Sequence, residues 1–122
     1  MTKSRFKVGD MGVYFMAAMQ ETDQNGNVLT LDLSDGTLST YQIEIIFPGS
    51  TYSSRSIYIG PANTSVVLVN PGPTGQNIIQ YQTPKTGSSV LTKAGDIQWR
   101  GCVTYSDGRF YQGDWIKDKV EQ

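Results

Sequence analysis

The chain has no histidine and one cysteine, Cys102. The first absence removes the commonest general base, the Ser–His and Cys–His nucleophile pairs, and most zinc sites. The second excludes an intramolecular disulfide and a thiolate metal cluster, and leaves the Cys102 thiol as a small buried hydrophobe. Charge of one sign is also lacking: 10 basic residues stand against 11 acidic ones, for a net charge of -1 with no basic block. Nothing therefore favours counterion-release binding to nucleic acid or attraction to an anionic membrane. No apolar run approaches membrane-spanning length. The opening MTKSRFKVGD has no signal-peptide apolar stretch, so synthesis and folding in a cytoplasm are expected. A phosphate-binding glycine loop is missing as well, because Gly72-Pro73-Thr74-Gly75 has no Lys-Ser/Thr ending and follows no βα unit.

What is present suits short strands joined by turns. At 122 residues the chain fits one domain, expected to run from residue 1 to 122. Hydrophobic residues make up 38%, below the globular norm, and 13 glycines accompany plentiful Ser, Thr, Asn and Gln. From Val13 to Met19 the run VYFMAAM has strand length and is bounded by turn signals, although Met and Ala leave a helical alternative open. Asn25-Gly26 is a hairpin dipeptide, followed by the short run Val28, Leu29, Leu31, Leu33. In YQIEIIF, Tyr41, Ile43, Ile45 and Phe47 share one face, and Gln42, Glu44 and Ile46 the other. Pro48-Gly49 ends that strand. RSIYI follows, with Ile57 and Ile59 alternating against Tyr58. SVVLV from Ser65 and NIIQYQ from Asn77 are further strands, separated by the exposed loop Pro71 to Gly75. Lys85 to Lys93 reads as a loop carrying one helical turn. About seven to nine short strands at such spacing predict an all-β sandwich or small barrel.

The stretch AGDIQWRGCVTYSDGRFYQGDW, Ala94 to Trp115, reads as the closing hairpin. Ile97, Trp99, Gly101, Val103 and Tyr105 face the core; Asp96, Gln98, Arg100, Cys102 and Thr104 form an outer row. Gly101 leaves room for a large neighbour such as Trp99 or an aromatic of another sheet. A two-residue Asp107-Gly108 loop would pair Tyr105 with Phe110 and Val103 with Gln112. That register points the Gln112 amide at the core, which a bulge near Gln112-Gly113 would correct while returning Trp115 to the buried face.

Several segments in chain order resemble small domains of tailed-bacteriophage virion proteins. They are Phe6-Lys7-Val8-Gly9-Asp10, Asp23-Gln24-Asn25-Gly26, Leu31-Asp32-Leu33-Ser34, Ile46-Phe47-Pro48-Gly49, Tyr81-Gln82-Thr83, Leu91-Thr92-Lys93-Ala94-Gly95 and the closing hairpin. The resemblance implies an immunoglobulin-like antiparallel β-sandwich of the kind found in baseplate upper proteins and fibre-attachment modules. It implies a virion location, with other virion proteins and copies of itself as partners. Pro61 to Asn77 matches nothing in that pattern. The chain ends at Gln122, so a separate small subunit without a fused receptor-binding tip is expected.

Catalytic and binding alternatives are weighed on the residues themselves. Asp32 with Asp35, or Asp96 with Asp114, could form a glycosidase carboxylate pair, but all four suit turns and strand ends better. Asp23-x-Asn25-x-Asn27 begins like a calcium loop, then fails the Gly and Glu spacing. No catalytic residue, cofactor or metal is expected. Tyr52, Tyr58, Trp99, Tyr105, Tyr111 and Trp115 could stack on sugars, yet aromatics alternating along strands more often pack cores. Tyr52, in the polar stretch GSTYSSRS, is the exception. The candidate contact surface is therefore Tyr52, Arg55, Gln98, Arg100, Thr104 and Tyr111, serving protein assembly in the tail, baseplate or fibre-anchoring region. Capsid decoration or a neck position is a second reading, and a module binding host surface glycan a third. MTKSRFK and KDKVEQ are expected to be flexible or docking tails.

Overall fold

A computed structural model describes residues 6–122. The protein is nearly all β, with 48% of the described residues in strands and 3% helical. The described residues form eleven strands: β1 Phe6–Lys7, β2 Tyr14–Ala18, β3 Gln20–Thr22, β4 Val28–Thr30, β5 Leu38–Ile46, β6 Ser56–Gly60, β7 Val66–Val69, β8 Ile78–Gln82, β9 Gly95–Tyr105, β10 Phe110–Gln112 and β11 Ile116–Glu121. The number exceeds the expected seven to nine because several strands are only two or three residues long. The larger sheet runs β1-β11-β9-β5-β6, with β10 also on β9; β2-β8-β7 form a second sheet and β3-β4 a hairpin. The arrangement is compatible with a β-sandwich.

VYFMAAM resolves as a strand. Phe15, Ala17 and Met19 are buried while Tyr14, Met16 and Ala18 are exposed, the period-two signature. Its buried side meets β9, where Phe15 lies edge-on to Trp99 with ring centroids 5.2 Å apart. Phe6 stacks on Phe15 at 4.9 Å and stands perpendicular to Trp99 at 5.7 Å. The indole of Trp99 is buried, so its N–H needs a partner, and it donates to the Met16 carbonyl at 3.0 Å. One side chain thus packs the core and ties the two sheets together. At the far end Tyr105 donates its hydroxyl to the Asp32 carbonyl at 3.1 Å, tying the loop after β4 to β9.

The inner row of β9 is as the alternation predicts: Ile97, Trp99, Gly101, Val103 and Tyr105 are all buried. The space over Gly101 is filled by Met19, Ala17 and Ile79 of the opposite layer, not by an aromatic. RSIYI alternates as expected. Tyr58 faces the core, stacked on Tyr81 at 4.0 Å, and Ile57 and Ile59 are exposed on the outer face. Tyr and Ile both fit a core, so alternation fixed the two sets without fixing which one points inward. Lys85 to Lys93 holds no helical turn; Leu91 is buried there, and Ser89 fixes the loop by donating to the Asp10 carbonyl at 2.6 Å. Among the described residues the single helical turn is a 3-10 turn at Tyr52–Ser54.

The closing hairpin is shifted by one residue from the expected register. Tyr105 N–H donates to the Arg109 carbonyl at 2.9 Å and Gly108 N–H to the Tyr105 carbonyl at 3.0 Å. The loop is therefore Ser106-Asp107-Gly108, a turn followed by a left-handed glycine at φ 98. A one-residue slip exchanges faces along the whole strand. Tyr111 now opposes Val103 and packs toward the core, whereas Phe110 opposes Thr104 and is exposed. Gln112 opposes Cys102 and points outward, so no bulge is needed to rescue it. β10 stops there; Gly113 N–H donates to the Gly101 carbonyl, and β11 resumes pairing with β9 at Ile116↔Trp99. KDKVEQ is accordingly not a tail: most of it lies in β11, with Val120 buried against the core. Of MTKSRFK, residues 1–5 lie outside the described residues, and Phe6 anchors β1 to β11 in parallel.

A Cβ at Gly101 would sit 2.9 Å from Met19 Sδ and 3.1 Å from both Ala17 Cβ and Ile79 Cδ1. Gly101→Ala is expected to destabilise by about 1–3 kcal/mol through overpacking, read as a lowered urea midpoint at unchanged slope.

Candidate contact surface

The outer row of β9 is not uniformly wet. Arg100 is 7% exposed, and Glu44, directly opposite it on β5, is 2% exposed. Alternation places both side chains on the outer face, and the segment Phe47 to Arg55 covers them. That segment leaves β5 through the Pro48-Gly49 turn, where Ser50 N–H returns to the Phe47 carbonyl at 2.9 Å and Gly49 takes φ 86. It then forms the 3-10 turn, held by Ser54 N–H to the Thr51 carbonyl at 3.1 Å and by Thr51 N–H to Ser54 Oγ at 2.9 Å. The result is that Tyr52 and Arg55 hang over the sheet.

Glu44 is the hub. Its Oε1 accepts from Arg55 Nε at 2.9 Å and Arg100 Nε at 3.0 Å. Its Oε2 accepts from Gln42 Nε2 at 2.6 Å and faces the Cys102 thiol at 3.6 Å. Arg100 Nη2 donates to the Tyr52 hydroxyl at 3.2 Å, and Arg55 Nη1 donates to the Tyr52 carbonyl at 3.1 Å. The rings close over the charges: the Arg55 guanidinium lies 4.1 Å from the Tyr52 ring centre, and that of Arg100 lies 4.5 Å from Trp115. Tyr52 and Trp115 meet edge-to-face at 6.1 Å. Cation–π contacts of this kind add about 0.5–2 kcal/mol each when partly desolvated.

Burial pushes the Glu44 carboxyl upward, but the hydrogen bonds from Arg100 and Arg55 outweigh it and hold Glu44 below its ordinary value of 4.5. Burial likewise works against the Arg100 charge, and the Glu44 carboxylate more than restores it. Cys102 is pushed up to about 12, first by burial and then by the neighbouring Glu44 charge, so it stays a thiol.

Of the expected contact residues, the structure gathers Tyr52, Arg55 and Arg100 into this cluster. Gln98 and Thr104 share their face without joining it. Gln98 is half-buried beside a groove of about 350 Å³ lined with Lys117, Asp118 and Lys119, and Thr104 sits between Thr40 and Phe110. Tyr111 lies on the opposite side, edge-on to Tyr105 at 6.0 Å. Residue reasoning did not single out Glu44, Gln42 or Cys102. Trp115, expected in the core, belongs to the outer cluster.

Of the carboxylates considered for catalysis, Asp96 lies at the start of β9, Asp114 lies between β10 and β11, and Asp32 and Asp35 are turn residues. Asp32 accepts from Ser34 N–H and Oγ at 2.9 and 2.6 Å. Asp35 accepts from Thr37 N–H at 2.8 Å and from Arg109 at 3.0 Å, and the Thr37 bonds lead in holding it at about 2. Asp23 accepts from the Asn25 and Asn27 amides at 2.8 and 2.9 Å, closing its own loop. Among the described residues no three acidic or cysteine side chains gather as a metal site requires.

Comparison with protein-family models, curated proteins and solved structures yields no match to this chain.

Removing the Glu44 charge strands Arg100. Glu44→Ala is expected to cost about 3–5 kcal/mol, and the double replacement Glu44→Leu with Arg100→Met much less, measured by urea unfolding of both variants. Because the folded Glu44 value is depressed, its stabilisation is full above 4.5 and drains as pH falls through the folded value. The stability gap between wild type and Glu44→Gln should therefore close on going from about pH 7 to about pH 3. The Cys102 thiol should resist alkylation in native buffer and react fully in denaturant, read by mass shift.

Proposed function

We propose that this chain is a non-enzymatic structural subunit of a tailed-bacteriophage particle, an immunoglobulin-like β-sandwich that works by protein–protein contact in the tail, baseplate or fibre-anchoring region. The sequence resemblance from Phe6-Lys7-Val8-Gly9-Asp10 to the closing hairpin supplies the virion part of this reading. The observation that carries the contact part is the outer face of the large sheet. Around the buried Glu44 charge it displays Tyr52, Ile57, Ile59 and Phe110, all exposed on one broad sheet face. Aromatic side chains and arginine over an apolar patch are the composition of protein interfaces. The ion cluster beneath fixes the Tyr52 loop, so little ordering is lost on docking.

Decoration of a capsid would use the same surface. A sugar-binding role is less well served. One face of Tyr52 is covered by Arg55, and Trp115 is half-buried with Arg100 against its ring, which leaves little open ring face for a pyranose.

Mass spectrometry of purified particles tests the proposal. The chain should be present in stoichiometric copies, and Tyr52→Ala combined with Phe110→Ala should lower its incorporation while the isolated domain keeps its fold. Recovery of the chain solely from the soluble lysate, with none in particles, overturns it. Binding of the isolated domain to host glycans that is lost on Tyr52→Ala would establish the sugar-binding alternative instead.

A further inference from the structure

The large sheet ends at β6, and the hydrogen-bond parity of the ladder fixes which backbone groups point off that end. On the other flank of the sheet, Gly113 N–H reaches the Gly101 carbonyl and Tyr105 N–H the Arg109 carbonyl, so odd-numbered residues of β9 face β10 and β11. Even-numbered residues of β9 then bond β5, through the pairs Arg100↔Glu44 and Cys102↔Gln42. It follows that Tyr41, Ile43 and Ile45 of β5 bond Gly60, Tyr58 and Ser56 of β6. The N–H and C=O groups of Ile57 and Ile59 therefore point away from the sheet. The Ile59 carbonyl is taken internally by Asn63 N–H at 2.8 Å, an independent sign of the same parity. Just before the strand, Arg55 N–H is taken by the Tyr52 carbonyl at 3.3 Å, and Arg55 itself is extended at φ -60, ψ 148.

Between Arg55 and Pro61 the edge itself carries no charged or proline guard. Ser56–Gly60 contains no charge and no proline, and its two isoleucines are 43% and 41% exposed on the outer face. Such an edge is a template for another strand.

We propose that the added strand is the β6 of a second copy of this chain, antiparallel, about a two-fold axis through Ile57. The donor and acceptor pattern selects a second copy. About that axis Ile57 N–H and C=O meet the same groups of the other Ile57. Ile59 N–H meets the Arg55 carbonyl, and the reciprocal bond forms. The groups left over in this register are Arg55 N–H and the Ile59 carbonyl, which would face each other across the axis, and both are already bonded within their own chain. An unrelated strand in that place would present an N–H to the carbonyl that Asn63 occupies. Ile57 and Ile59 of both copies would join in one apolar row, continuous with the Tyr52 surface, and the two large sheets would become one. The inference goes beyond the assembly role above and does not depend on a virion location.

Sedimentation velocity of the recombinant chain tests it apart from any particle. The expected result is a dimer that dissociates on dilution. Ile57→Lys, which sets two ammonium groups across the axis, should be monomeric where wild type is dimeric, with unchanged circular dichroism and unfolding midpoint. Ile57→Cys should oxidise to a covalent dimer, because paired residues at such an axis have Cα atoms about 5.5 Å apart. Val67→Cys, exposed on the other sheet, should not. In hydrogen exchange the Ile57 and Ile59 amides should be protected in wild type and fast in Ile57→Lys. A monomer at every concentration overturns the proposal, as does a dimer indifferent to Ile57→Lys or one with a fast Ile57 amide. Failure here would leave the particle experiment unaffected.

Discussion

A carboxylate that has left water governs the outer half of this molecule. Glu44 sits mid-strand on β5 with almost no solvent contact and would be intolerable there alone. Two guanidinium groups and a glutamine amide answer it, and each answer fixes a different piece of chain. Arg100 locks the β5–β9 register, Arg55 holds the start of β6, and the two together pin the loop that carries Tyr52. Trp115, on the connection from β10 to β11, lies with its ring over the Arg100 guanidinium that Glu44 holds in place. The interaction contributes less to net stability than to choosing one arrangement, since breaking half of such a pair costs far more than replacing it whole.

The inner half is organised by the opposite chemistry. Phe6 and Phe15 of the first two strands form one aromatic knot with the sequence-remote Trp99, and the indole N–H finds the Met16 carbonyl of the facing sheet. β9 serves both halves, since its odd residues build the core and Arg100 and Cys102 of its even row complete the polar cluster. Its length of 11 residues lets it support β5 along one edge and both β10 and β11 along the other.

Much of this was legible in the residues. Run length and bounding turns identified VYFMAAM, alternation identified YQIEIIF and the two rows of β9, and the turn dipeptides marked most connections. The failures have local causes. Asp107-Gly108 suits either a two- or a three-residue loop, and the longer one moves Tyr111 inward and Phe110 outward. RSIYI can present either Tyr58 or its isoleucines to a core, and only packing against Tyr81 decides. Glu44 and Arg100 were both assigned to polar faces, but they lie 56 residues apart, and no local pattern states that β5 and β9 pair in the register that joins them. Tyr52 stood out as an aromatic in polar sequence; an irregularity near Gln112-Gly113 was expected, but it carries Trp115 to the outer face and not to the core.

The parallel pairing of β1 with β11 has a mechanical meaning. Phe6 opposes Val120 and Lys7 opposes Glu121, so the first described strand and the last run side by side in the same direction. Tension applied between Phe6 and Gln122 pulls these strands in opposite senses along their shared axis. The load falls on their hydrogen bonds in shear, all at once, and not one after another as in the peeling of a hairpin. Beneath them Phe6 and Val120 are both buried, so sliding would also drag apolar side chains across the core. A pull between these ends would thus load the short β1–β11 pairing in shear before any other part of the sheet.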